Sequence, residues 1–215
     1  MDIITESVKR LEEFMVNSGC EETGIRLDVD PDACNCQFER GACMTATFGG
    51  RTAEFVTDSP IRAMTKISFM FGAPLDNPPT RGAACAIINV ATAFFCLSRV
   101  RRACPMVSHG TCMKELAEEL AGRRVFCIGP APALARAPGV YQAEDIGSAD
   151  IILVNNEGII APDLGDLLAR TGAEKRVIFL GPSTAGTSRL MHEGHWCPYG
   201  LPMLDAAPDP SQPTG

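Results

Sequence analysis

Three groups of residues have types and spacings suited to chemistry. The densest is His192-x2-His195-x-Cys197, where imidazole and thiolate donors suit Zn or Fe. A second is Cys34-x-Cys36 with Cys43 beyond it, in a turn-rich stretch beside Asp28, Asp30 and Asp32. Three thiolates in one loop suit Zn or an iron–sulfur centre, but neither spacing is a C-x2-C pair, and ordinary free cysteines are the simpler account. The third group sits where strands are expected to end: Gly129-Pro130-Ala131-Pro132, Asn155-Asn156-Glu157-Gly158 and Gly181-Pro182-Ser183-Thr184. Glycine allows close backbone approach, while Asn, Ser and Thr supply polar atoms and helix caps. Glu157 is the acid among them, hence the candidate general base. The plain alternative is ordinary βα-turn chemistry. His109-x2-Cys112 adds a thiol where a helix starts, a place that can lower a thiol pKa.

The elements that would position these residues fall into two sets. Ile4, Val8, Leu11 and Met15 predict an amphipathic helix. Extended segments follow at Gly24–Val29, Cys43–Phe48 and Thr52–Val56, with Gly49-Gly50 as a turn. Ser59-Pro60 is expected to open a helix carrying Ile61, Met64, Ile67 and Ser68, and Asp76–Thr80 leads into a buried apolar helix at 81–98. Beyond these, an amphipathic helix at Thr111–Ala121 precedes three apolar strands, Arg124–Ile128, Ile151–Val154 and Val177–Leu180. Helices at Leu164–Arg170 and Thr187–His192 complete the set. β-Branched runs alternating with helices predict a parallel sheet covered on both faces, whose ligands bind at the strands' carboxyl ends. The expected fold is therefore α/β: an α+β unit over 1–105 packed on a Rossmann-like unit over 106–200, with a disordered tail at 201–215.

Composition narrows the function. In 215 residues, 19 Lys+Arg against 26 Asp+Glu give a net charge of -7, which disfavours nucleic acid or an anionic membrane as partner. The start, MDIITESVKRLEEF, has no apolar h-region, so a cytoplasmic chain with reduced thiols is expected. Of the 10 Cys, Cys85, Cys96 and Cys127 lie in apolar segments and read as core residues. No G-x-G-x-x-G or Walker pattern occurs, and Pro130 and Pro132 remove backbone donors that a pyrophosphate needs. No nucleophile elbow is present.

The blocks PTRGAACAIINVATA, ELAGRRVFCIG, ADIILVNNEGIIAPDLGDLLART and KRVIFLGPSTAG resemble the heavy-metal chelation domain family. Members of that family pair an enolase-N-terminal-like domain with a Rossmann-like domain, and its activity is unsettled. The resemblance spans about 59–195 and rests on ordered blocks rather than one motif. It implies a cleft between the domains that binds a metal ion or metal-chelating small molecule, with Asn89, Asn155, Glu157, Ser183 and Thr184 facing it. One departure is the first turn, which lacks the G-H-F-P-like sequence of many members. The candidate site set is thus Glu157 as catalytic residue, a general base or metal ligand. Asn89, Gly129, Asn155, Asn156, Gly181, Ser183 and Thr184 are the ligand contacts, and His192, His195 and Cys197 hold a transition metal, Zn or Fe. Two other functions fit the same residues: a Rossmann-type enzyme using S-adenosylmethionine, and a non-catalytic Cys-rich regulatory or assembly module. A homodimer through the 61–71 helix is a further expectation.

Overall fold

The computed structural model describes residues 2–171 and 175–202, so the expected disordered tail lies outside the described residues except for Leu201 and Pro202. Helix α1 (Ile3–Met15) starts at Asp2, whose carboxylate accepts the Thr5 N–H, and it buries Ile4, Val8, Leu11 and Met15 as its spacing predicts. Strands β1 (Gly24–Asp30), β2 (Ala42–Phe48), β3 (Arg51–Thr57) and β4 (Ala63–Lys66) form an antiparallel sheet in the order β3-β2-β1-β4. Helix α2 (Pro78–Phe94) begins on Asn77, which accepts the Thr80 N–H, and it is buried without a break from Arg81 to Ala93. An all-round apolar helix must be enclosed. Accordingly, α2 is packed between β2 and β3 on one side and α6 (Ala185–Met191) on another.

Segment 59–71 departs from expectation. It holds β4 and a short 3-10 turn at Ile67–Met70 instead of a helix. Its apolar spacing is ambiguous over so few residues, and tertiary pairing decides: Gly24↔Lys66 through Leu27↔Ala63 satisfies the outer edge of β1. The helical face expected to make a homodimer is therefore absent, although Met64 and Phe69 remain exposed.

The second unit contains α3 (His109–Glu119), β5 (Arg124–Ile128), β6 (Tyr141–Gln142), β7 (Ile151–Val154), α4 (Asn156–Ile159), α5 (Leu164–Ala169), β8 (Arg176–Leu180) and β9 (Gly194–Trp196). The five strands pair in parallel in the order β6-β5-β7-β8-β9. This order places the topological switch point between the tips of β5 and β7. Strands β6 and β9, which the sequence does not announce, are two and three residues long.

The two sheets share one core. Ile128, Ile152, Val154 and Phe179 of the parallel sheet belong to the same buried cluster as Phe48, Phe55 and Ile88. Arg81, almost wholly buried, ties this core together through Asp2 at 2.7 Å and the carbonyls of Leu75 and Ile160. Among the described residues, no helix is long and apolar enough to cross a membrane.

Candidate functional site at the junction of the two sheets

Of the polar side chains expected at the strand tips, Asn155, Asn156 and Ser183 bond to the antiparallel unit. Asn155 caps α4 through Oδ1, which accepts the N–H groups of Glu157 and Gly158, while its Nδ2 donates to Phe38 O and Pro130 O. Asn156 Nδ2 donates to Arg40 O and Val56 O, both at 2.9 Å. Asn89 Nδ2, from α2, donates to Glu54 O and Ser183 O, and its Oδ1 accepts the Gly186 N–H. Ser183 Oγ accepts the Val56 N–H, and Thr184 Oγ1 donates back to Leu180 O and Gly181 O. The physical reason is a matter of satisfying donors and acceptors. Strand β3 and loop 38–40 bring unpaired backbone groups into the junction, and the asparagines and Ser183 satisfy them. Asn89, Asn155, Asn156 and Ser183 thus join the units, whereas Thr184 bonds back to its own strand end; all five are buried.

Glycine matters at two of these tips. Gly129 has φ 90°, and a Cβ there would run into the Asn155 side chain. Gly181 has φ 79°, and a Cβ would run into Glu39 Oε1. The Gly181→Ala variant is expected to lose at least about 2 kcal/mol of stability, from backbone strain plus overpacking. A urea midpoint equal to wild type would contradict this.

Glu39 is the junction's unannounced feature. Its Oε1 accepts the Ser183 N–H at 2.9 Å, and its Oε2 has no hydrogen-bond partner among the described residues. Burial pushes its pKa up to about 8, and the nearby Glu54 carboxylate pushes the same way. At neutral pH it is mostly a protonated acid. Glu157, the expected general base, stays half-buried at the rim; burial and then Asp58 raise its pKa, opposed by Arg40.

The His192/His195/Cys197 donors do not converge. His192 is the left-handed residue that ends α6, with φ 59°. His195 lies in β9, with Nε2 2.9 Å from Gly181 O; burial lowers its pKa, opposed by that hydrogen bond. The Cys197 thiol is raised by burial and by Glu39. His192 thus sits at a helix end while His195 is paired in β9 opposite Phe179. The second thiol group also disperses, because Cys34 is exposed while Cys36 and Cys43 are buried. Among the described residues, no three His, Cys, Asp or Glu side chains stand together so as to hold a metal ion. The Cys112 thiol, at a helix start that can lower a thiol pKa, is raised by burial.

Beside this network lies a polar cavity of about 320 Å³, lined by Asp30, Asp32, Cys34, Glu54, Arg102 and Cys104. Loop 30–34 after β1 forms one wall, and β3 supplies Glu54. The connector 102–105 forms the other wall, fastened to Leu201 by an antiparallel bridge. Glu54 Oε2 accepts the Ala103 N–H at 2.9 Å. Burial pushes the Glu54 pKa up to about 7; the Ala103 hydrogen bond and Arg102 oppose the shift, and Asp30 adds to it. Burial raises the Cys104 thiol, and Cys34 adds to that. The cavity thus combines a carboxyl that changes charge near neutral pH with two thiols and two exposed aspartates. Such a set attracts cations and takes up or releases a proton. Sequence reasoning singled out Asp30, Asp32 and Cys34 but missed Glu54, Arg102 and Cys104. The available signal was Glu54 itself, an acid between Ala53 and Phe55 in an apolar strand.

No family model and no curated protein matches this chain. The solved structures similar to it include two of DUF364-family proteins of unknown function. The one from Pyrococcus horikoshii is 14% identical with a TM-score of 0.47, over 84% of this chain and 79% of that one. The one from Desulfitobacterium hafniense DCB-2 is 15% identical with a TM-score of 0.46, over 90% of this chain and 84% of that one. Likeness at this level assigns neither a site nor an activity.

Proposed function

We propose that the protein binds a small cationic ligand in the cavity lined by Asp30, Asp32, Cys34, Glu54, Arg102 and Cys104. A metal bound there arrives as a complex that already carries donors of its own. Glu54 carries the reading. It is a half-buried carboxyl with a pKa raised to about 7, held by the Ala103 N–H and turned to a cavity whose mouth is acidic. The cavity's acids are Asp30, Asp32 and Glu54, and its thiols are Cys34 and Cys104. Because no three of them stand together for direct ligation among the described residues, a ligand with a filled or nearly filled coordination shell fits better than a bare ion. Ionisation of Glu54 above pH 7 strengthens the attraction, and salt weakens it at the exposed mouth.

The test uses cobalt(III) hexaammine, a cation whose coordination positions are filled, beside Zn²⁺ alone. The hexaammine is expected to raise the Tm of the full chain. Its apparent affinity should improve between pH 6 and 8 and fall about tenfold in Glu54→Gln, the equivalent of about 1.4 kcal/mol. Stoichiometric Zn²⁺ in the purified protein, lost on changing Cys34 or Cys104 to Ser, would replace this reading with direct coordination. No Tm response to either cation would remove the cavity from consideration.

A further inference from the structure

We infer that Cys34 and Cys104 are a reversible redox pair, which a low-molecular-weight disulfide oxidises to a cross-link between the two walls of the polar cavity. The inference concerns the thiols alone and stands whether or not a cation binds there. Both residues line the same cavity of about 320 Å³. Cys34 belongs to the loop after β1 and Cys104 to the connector before α3, so tertiary packing brings together thiols that the sequence keeps far apart. The other thiols are placed differently. Cys36 and Cys112 are buried in an apolar cluster with Phe38 and Leu116, and Cys43 and Cys85 are buried as well. The exposed Cys96 lines a different cavity, with no second thiol in its wall among the described residues.

The two thiols have different parts. Cys34 is exposed and meets the reagent, whereas Cys104 is 4% exposed. Burial raises the Cys104 thiol, and Cys34 adds to the shift, so Cys104 is protonated and a poor first nucleophile. In the first step the Cys34 thiolate attacks one sulfur of the reagent, forming a mixed disulfide and expelling one thiolate. In the second, Cys104 releases its proton to solvent, its sulfur attacks Cys34 Sγ, and the second thiolate leaves. The protein thiols lose two electrons, and the reagent is reduced to two thiols. A disulfide needs its two Cα atoms within about 7 Å, so one wall must be able to adjust. Loop 31–35 can do so. The Asp32 N–H donates to the Asp30 carboxylate and Asn35 Nδ2 to Gly41 O, but residues 31–35 make no backbone–backbone hydrogen bond among the described residues. The connector is the fixed wall, pinned by the Arg102–Leu201 bridge and by the Ala103 N–H on Glu54.

The test is to reduce the full chain, equilibrate it with oxidised glutathione, quench with acid, alkylate the free thiols and map the peptides by mass. The wild type is expected to yield an intramolecular Cys34–Cys104 disulfide that dithiothreitol reverses. In Cys104→Ser the reaction should stop at Cys34 joined to glutathione, and this adduct should persist at least about tenfold longer than in the wild type. In Cys34→Ser, Cys104 should remain a free thiol. The wild-type map decides by itself if either variant fails to fold. A lasting glutathione adduct on wild-type Cys34 would overturn the inference, as would a Cys34–Cys36 disulfide or a Cys34 that stays reduced.

Discussion

The wild-type chain is expected to lose stability relative to Glu39→Gln as pH rises from about 5 to 8. Unfolded, Glu39 titrates near its ordinary 4.5; folded, burial holds it up to about 8. Between those values the folded state keeps a proton that the unfolded state has released. Its contribution is therefore fully present below pH 4.5 and is lost as pH climbs through 8. A shift of this size corresponds to a contribution on the order of 5 kcal/mol. Glu54 acts in the same direction with a smaller span, ending near 7. His195 acts oppositely: its folded pKa is lowered, so its contribution is present above its unfolded value and lost as pH falls. The Glu39→Gln difference isolates one group from these. Glutamine keeps an acceptor for the Ser183 N–H and cannot ionise, so the variant's urea midpoint should fall less steeply than the wild type's, with the slope left by Glu54 and His195. Parallel curves for the two proteins from pH 5 to 8 would show that Glu39 is not the buried acid described.

The second large effect is expected at Asn89. Asn89→Ala should cost about 4 kcal/mol, read as a lower urea midpoint at an unchanged m-value. The side chain is 2% exposed, and its amide joins α2 to Glu54 O, Ser183 O and the Gly186 N–H. Truncation strands three buried backbone groups at once, each costing about 1–3 kcal/mol if no water replaces the amide. The close approach of α6 sharpens the cost, since a Cβ on Gly186 would stand 2.7 Å from Asn89 Oδ1. Asn89→Asp keeps the acceptor and loses the donor, so it should be destabilised too, and more at high pH than at low. A loss below about 1 kcal/mol for Asn89→Ala would show that water or repacking replaces the amide.

Local periodicity carried much of the architecture. The amphipathic first helix, strands β1 to β3, the buried α2 and the apolar strands β5, β7 and β8 all lie where residue patterns place them, because burial of side chains at fixed intervals is a local property. Segment 59–71 was illegible for a complementary reason. Its few apolar residues fit two periods, and only the open edge of β1 decided for a strand. Strands β6 and β9 are too short to carry a pattern.

The sequence by itself determined an α/β chain with an antiparallel and a parallel part, and it marked Asn155, Asn156, Ser183 and Thr184 as polar groups at strand tips. Only the tertiary structure decided what they face. Whether an asparagine amide meets a ligand or a neighbouring carbonyl depends on which segment packs against it, and here loop 38–40 and β3 arrive with unpaired backbone groups. The same long-range packing buries Glu39 beside Gly181 and turns Glu54 toward the connector. A pKa is set by surroundings rather than by residue type, so these two acids became visible only once distant segments met.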